Sequence, residues 1–407
     1  MQVCKYFIWA LLIAIVVGFS AALFLLSLDY VTQLRINEEW VIFALPLVGF
    51  LFGFSYLHAS AGITAGNTLL FHAFEDAKVK VSWLMAPFIF FGTLITHLFG
   101  GSAGREGTAV QMGASMAIQL TRLYTCTAFE RRLLLLMGIS AGFAAVFGTP
   151  IAAFVFAFEF FYAKEQVSKT VFPILLASCM AHAICLACGV THTVFPTIVL
   201  PQFSMAVLLN VMIAGLIFGF IALIFVSVNK YLSKAFSVIQ FIPLRLFIAG
   251  AFMAILVWFF NAQDYIGLGI SGIIHSFEKP QAYYVFALKI FFTGITLAAG
   301  FKGGEVTPLF FIGASLGSAL VWIIPLPITF LAAMGLVAVF AGAANTPLAA
   351  IAMGAELFGA NTLGYMALVS VLAFFSSGFD GIYNPHPALE LKKNILKRVL
   401  PMNRYFH

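Results

Sequence analysis

The chain has 407 residues, of which 62% are hydrophobic and 9% are charged, with a formal net charge of +6 and a mean hydropathy of +1.05. Soluble domains are about 45–50% apolar and about 25% charged, so this composition excludes a water-soluble fold of this size. We expect a polytopic helical membrane protein in a lipid bilayer. Its basic residues lie in loops and tails and do not indicate a nucleic-acid partner.

Apolar runs recur along the whole chain. A full crossing needs roughly 20 apolar residues, and several of the runs are shorter. Short segments interrupted by Gly and Pro are typical of discontinuous helices around a binding site. We therefore predict an all-α fold of whole and broken transmembrane helices. The predicted spans and half-spans are 7–28, 40–58, 83–100, 107–121, 133–147, 150–163, 170–190, 203–228, 244–260, 284–299, 307–325, 329–342, 347–359 and 363–377.

The two ends of the chain extend this membrane core only slightly. The run 7–28 is too long for the h-region of a signal peptide, so we expect a retained first helix. The segment 388–407 is short and basic, and we expect a helical tail there and no soluble regulatory domain. The missing eukaryote-like regulatory tail favours a bacterial inner membrane, and the positive-inside rule places the basic tail in the cytoplasm.

The cysteine and histidine pattern does not predict a metal site or a cofactor. Cys185 and Cys188 form a CxxC spacing inside an apolar run, but no second pair completes a zinc site. Buried apolar cysteines are the better interpretation. His182 and His192 nearby are expected to be helix-end or loop residues.

Two glycine-rich breaks each place a carboxylate between apolar runs. The first reads Gly-Arg-Glu-Gly-Thr at 104–108 and contains Glu106, and the second reads Gly-Gly-Glu-Val-Thr-Pro at 303–308 and contains Glu305. Membrane interiors penalise broken backbone and ionised side chains, which persist there mainly where they line a site for ions or substrate. The helix after each break begins with unpaired N–H groups and a partial positive charge, which suit an anion.

Glu106 is the first candidate for chemistry. Its carboxylate can occupy the anion site itself, and protonation would release it, so one residue would be both gate and proton carrier. The structural alternative is that Glu106 caps its helix and pairs with Arg105. Glu305 repeats this setting, and its structural alternative is a carboxylate that the helix dipole favours or that pairs with Lys302.

Four weaker signals accompany these breaks. Glu159 and Glu356 each follow a threonine by ten residues and are interpreted as structural. A third break at 62–68 would begin another helix with Asn67 as a donor, although an ordinary interhelical turn would look the same. Tyr383 could present its hydroxyl to an ion, or could belong to an aromatic belt.

The chain also repeats itself weakly. Thr149 and Thr346 begin similar segments 197 residues apart, and the glycines of the first break recur 200 residues later in the second. Internal duplication is typical of transporters whose site lies between the halves. We predict one transmembrane transport domain, 1–400, made of two related halves at about 1–195 and 196–390. The sequence leaves open whether the halves are parallel or inverted.

These motifs together resemble a known family. Gly-Arg-Glu-Gly at 104–107, Gly-Gly-x-x-x-Pro at 303–308, the duplicated halves and the late Tyr383 resemble the CLC family of anion channels and anion/proton antiporters. The resemblance covers nearly the whole transmembrane chain. It implies an inverted-repeat fold of broken, tilted helices and a homodimer in which each subunit has its own pore.

The resemblance also implies roles for individual residues. Glu106 resembles the external gating glutamate of the family, and Tyr383 resembles the tyrosine whose hydroxyl faces the central anion. Val306 falls where many members have phenylalanine, and its backbone N–H would help bind the ion. The expected site consists of Glu106 and Glu305 for gating and proton transfer, and of Asn67, Gly104, Arg105, Gly107, Val306, Thr307 and Tyr383 for anion binding.

Several positions depart from the chloride-type pattern. Chloride-type members carry Gly-Ser-Gly-Ile-Pro in their first break, whereas this sequence has Gly-Asn-Thr at 66–68. Chloride/proton exchangers have an internal proton glutamate right after the residue that matches Glu159, and here that position is Phe160. Glu305 replaces a usually apolar residue. The departures resemble the fluoride-exporting branch, whose members have Gly-Gly-Glu-Val-Thr-Pro and Gly-Arg-Glu-Gly-Thr-Ala-Val-Gln.

The leading hypothesis is therefore a dimeric fluoride/proton antiporter that exports fluoride. Fluoride is small and strongly hydrated, so a dry site must offer strong donors, and the Thr307 hydroxyl, Asn67 amide and Tyr383 hydroxyl are such groups. A chloride channel or chloride/proton antiporter of the same fold is the first rival, and Phe160 favours the channel. A membrane-embedded enzyme is the second, but the chain shows no nucleophile–base pair and no His/Glu metal spacing.

Overall fold

The computed structural model describes residues 2–59, 61–64, 66–161, 167–383 and 388–399, and these residues are mostly helical. Within them, β-type pairing is limited to one antiparallel contact between Gly104 and Gly304. The α-helices are α1 (Gln2–Asn37), α2 (Leu45–His58), α3 (Ala61–Thr64), α4 (Asn67–Glu75), α5 (Met85–Leu98), α6 (Glu106–Ile118), α7 (Ala128–Phe147), α8 (Pro150–Phe161), α9 (Val167–Ala187), α10 (Met205–Ser237), α11 (Ile242–Phe260), α12 (Ile270–Glu278), α13 (Val285–Ala299), α14 (Val306–Ala319), α15 (Ile328–Ala344), α16 (Pro347–Phe358), α17 (Leu363–Ser376) and α18 (Ala388–Val399).

The helices fall into long and short classes, as the apolar runs predict. Among the described residues, five helical segments are long and apolar enough to cross a membrane, and the longest are Cys4–Asn37 and Met205–Ser237. Seven shorter apolar helical segments have 10–17 residues. The prediction of an all-α fold with whole and broken helices is confirmed.

The short helices α3, α4 and α12 lie outside the predicted spans, although the break at 62–68 predicts the start of α4. α12 has only nine residues, and its sequence mixes apolar residues with serine, histidine and glutamate. It is too short for a span, yet it buries Ile273 and Phe277 against the core. α4, which also has nine residues, holds the equivalent place in the first half. The repeat therefore extends to short helices that hydropathy alone does not detect.

The two halves pack in the same way and meet around a two-fold axis. α6 packs on α7 as α14 packs on α15, and α1 packs on α9 as α10 packs on α17. Across the halves, α2 contacts α11 and α8 contacts α16, which are pairs of equivalent helices. Gly104 and Gly304 are equivalent residues in antiparallel pairing. The antiparallel pairing of equivalent residues agrees with an inverted repeat.

Glycines let the helices within each half approach closely. A Cβ atom at Gly113 of α6 would lie 2.1 Å from the carbonyl oxygen of Gly138 in α7. In the second half, a Cβ at Gly313 of α14 would lie 2.1 Å from the carbonyl oxygen of Gly335 in α15. No side chain fits at such distances, so glycine is required for this packing. The consequence is that α6 and α14, which follow the two breaks, are buried almost along their whole length.

Glu159 and Glu356 tie the two halves together. The carboxylate of Glu159, late in α8, accepts hydrogen bonds of 3.0 and 2.7 Å from two N–H groups in the first turn of α16. Glu356, late in α16, accepts hydrogen bonds of 3.0 and 2.6 Å from the first turn of α8. Each carboxylate satisfies N–H groups that have no partner within their own helix. The contacts agree with the structural interpretation of both glutamates.

The C-terminal helix α18 packs on the core. Its basic residue Lys392 is buried. Its Nζ donates to Ser377 Oγ at 3.0 Å and to Asn345 Oδ1 at 3.5 Å, and it lies 4.7 Å from the centre of the Phe374 ring. These oxygen acceptors and the aromatic face compensate part of the loss of water around the ammonium group.

Removing either cross-half cap is expected to destabilise the fold. Glu159→Ala and Glu356→Ala each leave helix N-terminal N–H groups unsatisfied, and the loss of a cap costs about 0.5–2 kcal/mol. The thermal unfolding temperature of the purified protein should fall in both variants by similar amounts. Glu278→Ala, at an exposed position that ends α12, is the matched control. Unfolding temperatures equal to that of the control would contradict the capping role.

Candidate functional site

The two glycine-rich breaks cross at one point. Gly104 N–H donates to the carbonyl of Gly304 at 2.6 Å, and Gly304 N–H donates to the carbonyl of Gly104 at 2.7 Å. A Cβ at Gly104 would lie 2.9 Å from Pro308 Cδ, and a Cβ at Gly304 would lie 2.8 Å from the nitrogen of Gly107, so the crossing requires glycine. α6 and α14 begin two residues after their glycines. Two helix N-termini therefore converge at this junction.

Glu106 occupies the junction. Its side chain is 1% exposed, and its Oε2 accepts hydrogen bonds from Thr307 Oγ1 at 2.5 Å and from Thr307 N at 3.1 Å. Arg105 contributes its backbone N–H at 3.3 Å, and its Nε lies 3.5 Å from Oε1. The contact with Arg105 that the structural alternative expects is present. The shorter bonds, however, join the first residue of α6 to the N-terminus of α14 in the other half.

This carboxylate lies at a point whose hydrogen-bond donors suit an anion. The N-terminus of α14 carries a partial positive charge and unpaired N–H groups, and Thr307 adds a hydroxyl donor. A free anion at this point would use the same two donors of Thr307. Glu106 and the anion are therefore mutually exclusive there, and a protonated Glu106 would lose most of the electrostatic attraction that holds it.

One side of the junction opens into a cavity of about 510 Å³, called here the Tyr383 cavity. Asn67, Gly107, Glu305 and Tyr383 all line it, so the folding of the chain brings together four of the predicted site residues. Asn67 is the first residue of α4, and its Oδ1 is buried without a hydrogen-bond partner among the described residues. A rotated amide would present its NH₂ donors in the same place.

Glu305 lines the Tyr383 cavity without a cationic partner among the described residues. Lys302 lines the same cavity, but its Nζ donates to the carbonyl of Thr64 at 3.3 Å. The ammonium group also lies over the rings of Tyr56 and Phe88, 5.1 and 5.6 Å from their centres. The Glu305–Lys302 ion pair of the structural alternative is thus not formed.

Tyr383 packs within an aromatic cluster. Its ring contacts Phe160 edge-on at 4.9 Å and Phe156 at 6.0 Å between ring centres. Phe160 is fully buried. Phe160, which stands where the sequence departs from the internal glutamate of chloride/proton exchangers, is therefore packed among other aromatic rings. The carboxylates within electrostatic range of Tyr383 are Glu305 and Glu106.

Arg105 lines a separate cavity of about 530 Å³, together with Arg35; it is called here the Arg35 cavity. The two cavities share no lining residue. Arg105 and Glu305 occupy equivalent positions of the repeat, and each faces the cavity on its own side of the junction. The predicted residues thus divide into a junction group, Gly104, Glu106, Val306 and Thr307; a Tyr383-cavity group, Asn67, Gly107, Glu305 and Tyr383; and Arg105 on the other side.

Two buried cations near the Arg35 cavity were missed by the sequence analysis. Arg35 lies in the last turn of α1, and Lys289 lies inside α13. A signal for Lys289 was available, because a lysine within the apolar run 284–299 is unfavourable in a membrane unless it serves a site. For Arg35 no local pattern gives its depth, since it lies near the end of a long helix.

Metal chemistry receives no support from the described part of the chain. No group of three or more His, Cys, Asp or Glu residues there is placed to hold a metal ion. His182 and His192 stack with their ring centres 5.1 Å apart, one in α9 and the other in the loop that follows.

Comparison with known proteins connects this geometry to a family. The family model for the voltage gated chloride channel matches residues 54–378. The chain is 42% identical over 389 residues to a chloride/fluoride channel protein of Pseudomonas syringae pv. tomato, covering 94% of this chain and 86% of that protein. It is 26% identical over 337 residues to the H(+)/Cl(-) exchange transporter ClcA of Cronobacter sakazakii, covering 76% of this chain and 71% of that protein.

Solved structures share the fold. A CLC-type fluoride/proton antiporter superimposes with a TM-score of 0.88 at 32% identity, covering 94% of this chain and 97% of that one. A slow cyanobacterial Cl−/H+ antiporter gives a TM-score of 0.79 at 17% identity, covering 98% and 99%, and this likeness concerns the fold alone. The expected inverted repeat of broken helices is confirmed.

Thr307 and Glu106 are expected to be energetically coupled. Hydrogen bonds to charged groups contribute about 1.5–3 kcal/mol to the free energy of unfolding. Each single variant, Thr307→Val or Glu106→Gln, already loses this contribution, so the double variant should lose less than the sum of the two single losses. A double-mutant cycle on denaturant-induced unfolding near neutral pH should therefore give a coupling free energy of about 1–3 kcal/mol. Thr307→Ser keeps the hydroxyl and is the matched control. Simple additivity of the two substitutions would contradict the contact.

Proposed function

The chain belongs to the voltage-gated chloride channel (CLC) family, and from that premise we propose that it is a fluoride/proton antiporter that exports fluoride as protons move inward. The observation that carries the proposal is the Glu106 carboxylate bound by the hydroxyl and N–H of Thr307 at the N-terminus of α14. The similarity to a chloride/fluoride channel protein and to a fluoride/proton antiporter structure supports it.

Exchange follows from competition for one position. Ionised Glu106 fills the place where fluoride would contact Thr307, so fluoride passes only when the carboxylate leaves. Proton uptake removes the charge that the α14 N-terminus and Arg105 attract, and this frees the side chain. Fluoride occupancy and protonation of Glu106 are therefore linked, and each promotes the other.

The preference for fluoride rests on strong donors. Replacing the tightly held water of a small anion requires hydrogen-bond donors at short range. Thr307 offers a hydroxyl and an N–H, Asn67 an amide and Tyr383 a hydroxyl, all at the junction or on the Tyr383 cavity. A protonated Glu305 would add one more O–H donor on the same wall.

A passive halide channel, or a chloride/proton antiporter, is the second candidate. The observation that favours the channel is Phe160, which fills with an aromatic ring the place of a proton-carrying glutamate. Glu159, its neighbour, is engaged as a helix cap. We favour the antiporter because Glu305 supplies another carboxyl group at the cavity that Tyr383 lines, and hence an alternative stopping point for a proton.

The setting of this activity is also part of the proposal. We propose that residues 1–400 form one transport domain, that the protein works as a homodimer in a lipid bilayer, and that the bilayer is a bacterial inner membrane. The two similar proteins described above are named as a chloride/fluoride channel protein and an exchange transporter, which supports transport and not enzymatic catalysis.

Glu106→Gln is expected to uncouple the two ions. In liposomes loaded with fluoride, efflux through the unsubstituted protein should draw protons inward against their gradient. The amide cannot take up and release the proton, so Glu106→Gln should pass fluoride without proton movement. Fluoride and pH electrodes record both fluxes, and Glu278→Gln at the exposed end of α12 is the control. Uphill proton movement by Glu106→Gln would contradict the mechanism.

Glu305→Gln is expected to slow coupled turnover. Groups that relay protons typically contribute about 10²–10⁴-fold to rates, so a loss of about tenfold or more is expected at saturating fluoride. The same liposome assay measures it, with folding verified by the unfolding temperature. Turnover and coupling equal to those of Glu278→Gln would remove Glu305 from the pathway.

Chloride efflux as fast as fluoride efflux in the unsubstituted protein would favour the chloride alternative.

A further inference from the structure

Arg35 is a buried cation without a counter-ion in the part of the chain that the structure describes. It lies in the last turn of α1, its residue is 9% exposed, and its Nε is buried without a hydrogen-bond partner. Among the described residues, no carboxylate lies within ion-pair distance of it. The C-terminus of α1 supplies only a partial negative charge, about half an elementary charge. A guanidinium group removed from water in this way is unfavourable unless an anion reaches it.

Lys289 places a second cation close to the same wall. It is fully buried, and its Nζ donates to the carbonyl of Tyr265 at 3.2 Å and to that of Gly267 at 2.9 Å. It also lies 5.2 Å from the centre of the Phe311 ring. These partners are all neutral, so they hold the ammonium group in place without cancelling its charge.

A glycine turn lies between the two cations. Gly267 and Gly269 have φ angles of +59° and +74°, which favour glycine. A Cβ at Gly267 would lie 3.0 Å from Arg35 Nη2, and a Cβ at Gly269 would lie 3.1 Å from Lys289 Nζ. The missing side chains let both head groups approach the turn that lines the Arg35 cavity.

The acidic and basic residues that line the Arg35 cavity differ in burial. Asp29, Glu39 and Asp264 also line it, but all three are exposed. Arg35 is buried and Arg105 is mostly buried, with its side chain 14% exposed. An anion that passes the exposed acidic residues therefore reaches two guanidinium groups. That of Arg35 has no ion pair among the described residues, and that of Arg105 lies 3.5 Å from Glu106.

We propose that Arg35 and Arg105 form an anion site in the Arg35 cavity, which holds a small halide such as fluoride before or after it passes the junction. Lys289 supports the site through the Gly267–Gly269 turn without touching the ion. The cavity of about 530 Å³ is large compared with a water molecule, so the anion keeps part of its hydration shell there. The Thr307 position at the junction, in contrast, offers space only after Glu106 leaves.

The site is coupled to the gate through Arg105. Its Nε faces Glu106 at 3.5 Å while the carboxylate is in place. When Glu106 is protonated or leaves, Arg105 loses this partner and becomes available to an anion in the cavity. Anion binding at Arg35 and protonation of Glu106 therefore favour each other. This function of the site rests on the proposed exchange of fluoride for protons, whereas anion binding itself does not.

Fluoride binding to the purified full-length protein tests the site without any transport. Sodium fluoride is titrated by calorimetry at low ionic strength into the unsubstituted protein, Arg35→Gln, Arg35→Lys and Asp29→Asn. Arg35→Gln should weaken fluoride binding by about three- to tenfold, as expected for loss of a charge in a focusing cleft. Arg35→Lys should retain most of the affinity, because it keeps the charge. Asp29→Asn, which removes an exposed negative charge from the same cavity, should strengthen binding.

Several results would overturn the site. One is an Arg35→Gln isotherm that matches that of the unsubstituted protein while the variant keeps its unfolding temperature. Another is Arg35→Lys binding as weakly as Arg35→Gln. If Arg35→Gln does not fold, the Asp29→Asn variant still tests the site. An affinity for fluoride equal to that of the unsubstituted protein at low ionic strength would then contradict the proposal. Arg35-dependent fluoride binding in a protein that exchanges no fluoride for protons in liposomes would support the site and refute the proposed function.

Discussion

The contact between Glu106 and Thr307 is the interaction on which the rest of the molecule depends. It joins the first residue of α6 to the N-terminus of α14, and so it exists only because the two breaks cross at Gly104 and Gly304. The crossing needs glycine at both positions and needs both helices packed closely on α7 and α15. The inverted repeat thus places the N-termini of α6 and α14 at a single point inside the protein.

The residues around that point differ between its two sides. The Tyr383 cavity carries the hydroxyl, amide and carboxyl groups of Tyr383, Asn67 and Glu305. The Arg35 cavity carries guanidinium groups. The repeat makes Arg105 and Glu305 equivalent in position, so a symmetric scaffold places a guanidinium group on one side of the junction and a carboxyl group on the other.

Much of this could be predicted from the sequence, and the missing part has a physical reason. The breaks at 104–108 and 303–308 and the approximate positions of most helices follow from local patterns of glycine, charge and hydropathy, although α1 and α10 extend well beyond the predicted spans 7–28 and 203–228. The hydrogen-bond partners of the Glu106 carboxylate cannot be predicted from local patterns. Thr307 and Glu106 are about 200 residues apart, and only the crossing of the halves brings them together. The same holds for the cap that Glu159 provides to α16. α12 and the depth of Arg35 depend on tertiary packing, which no local pattern encodes.

Competition between fluoride and ionised Glu106 is the central claim, and proton uptake on fluoride binding tests it most directly. Fluoride is added to the purified protein in weakly buffered solution, and the protons taken up are counted from the pH change. If binding requires Glu106 to be protonated, linkage predicts uptake of about one proton per fluoride bound at the junction, and loss of this uptake in Glu106→Gln. Saturable fluoride binding without proton uptake, or equal uptake in Glu106→Gln, would contradict the account.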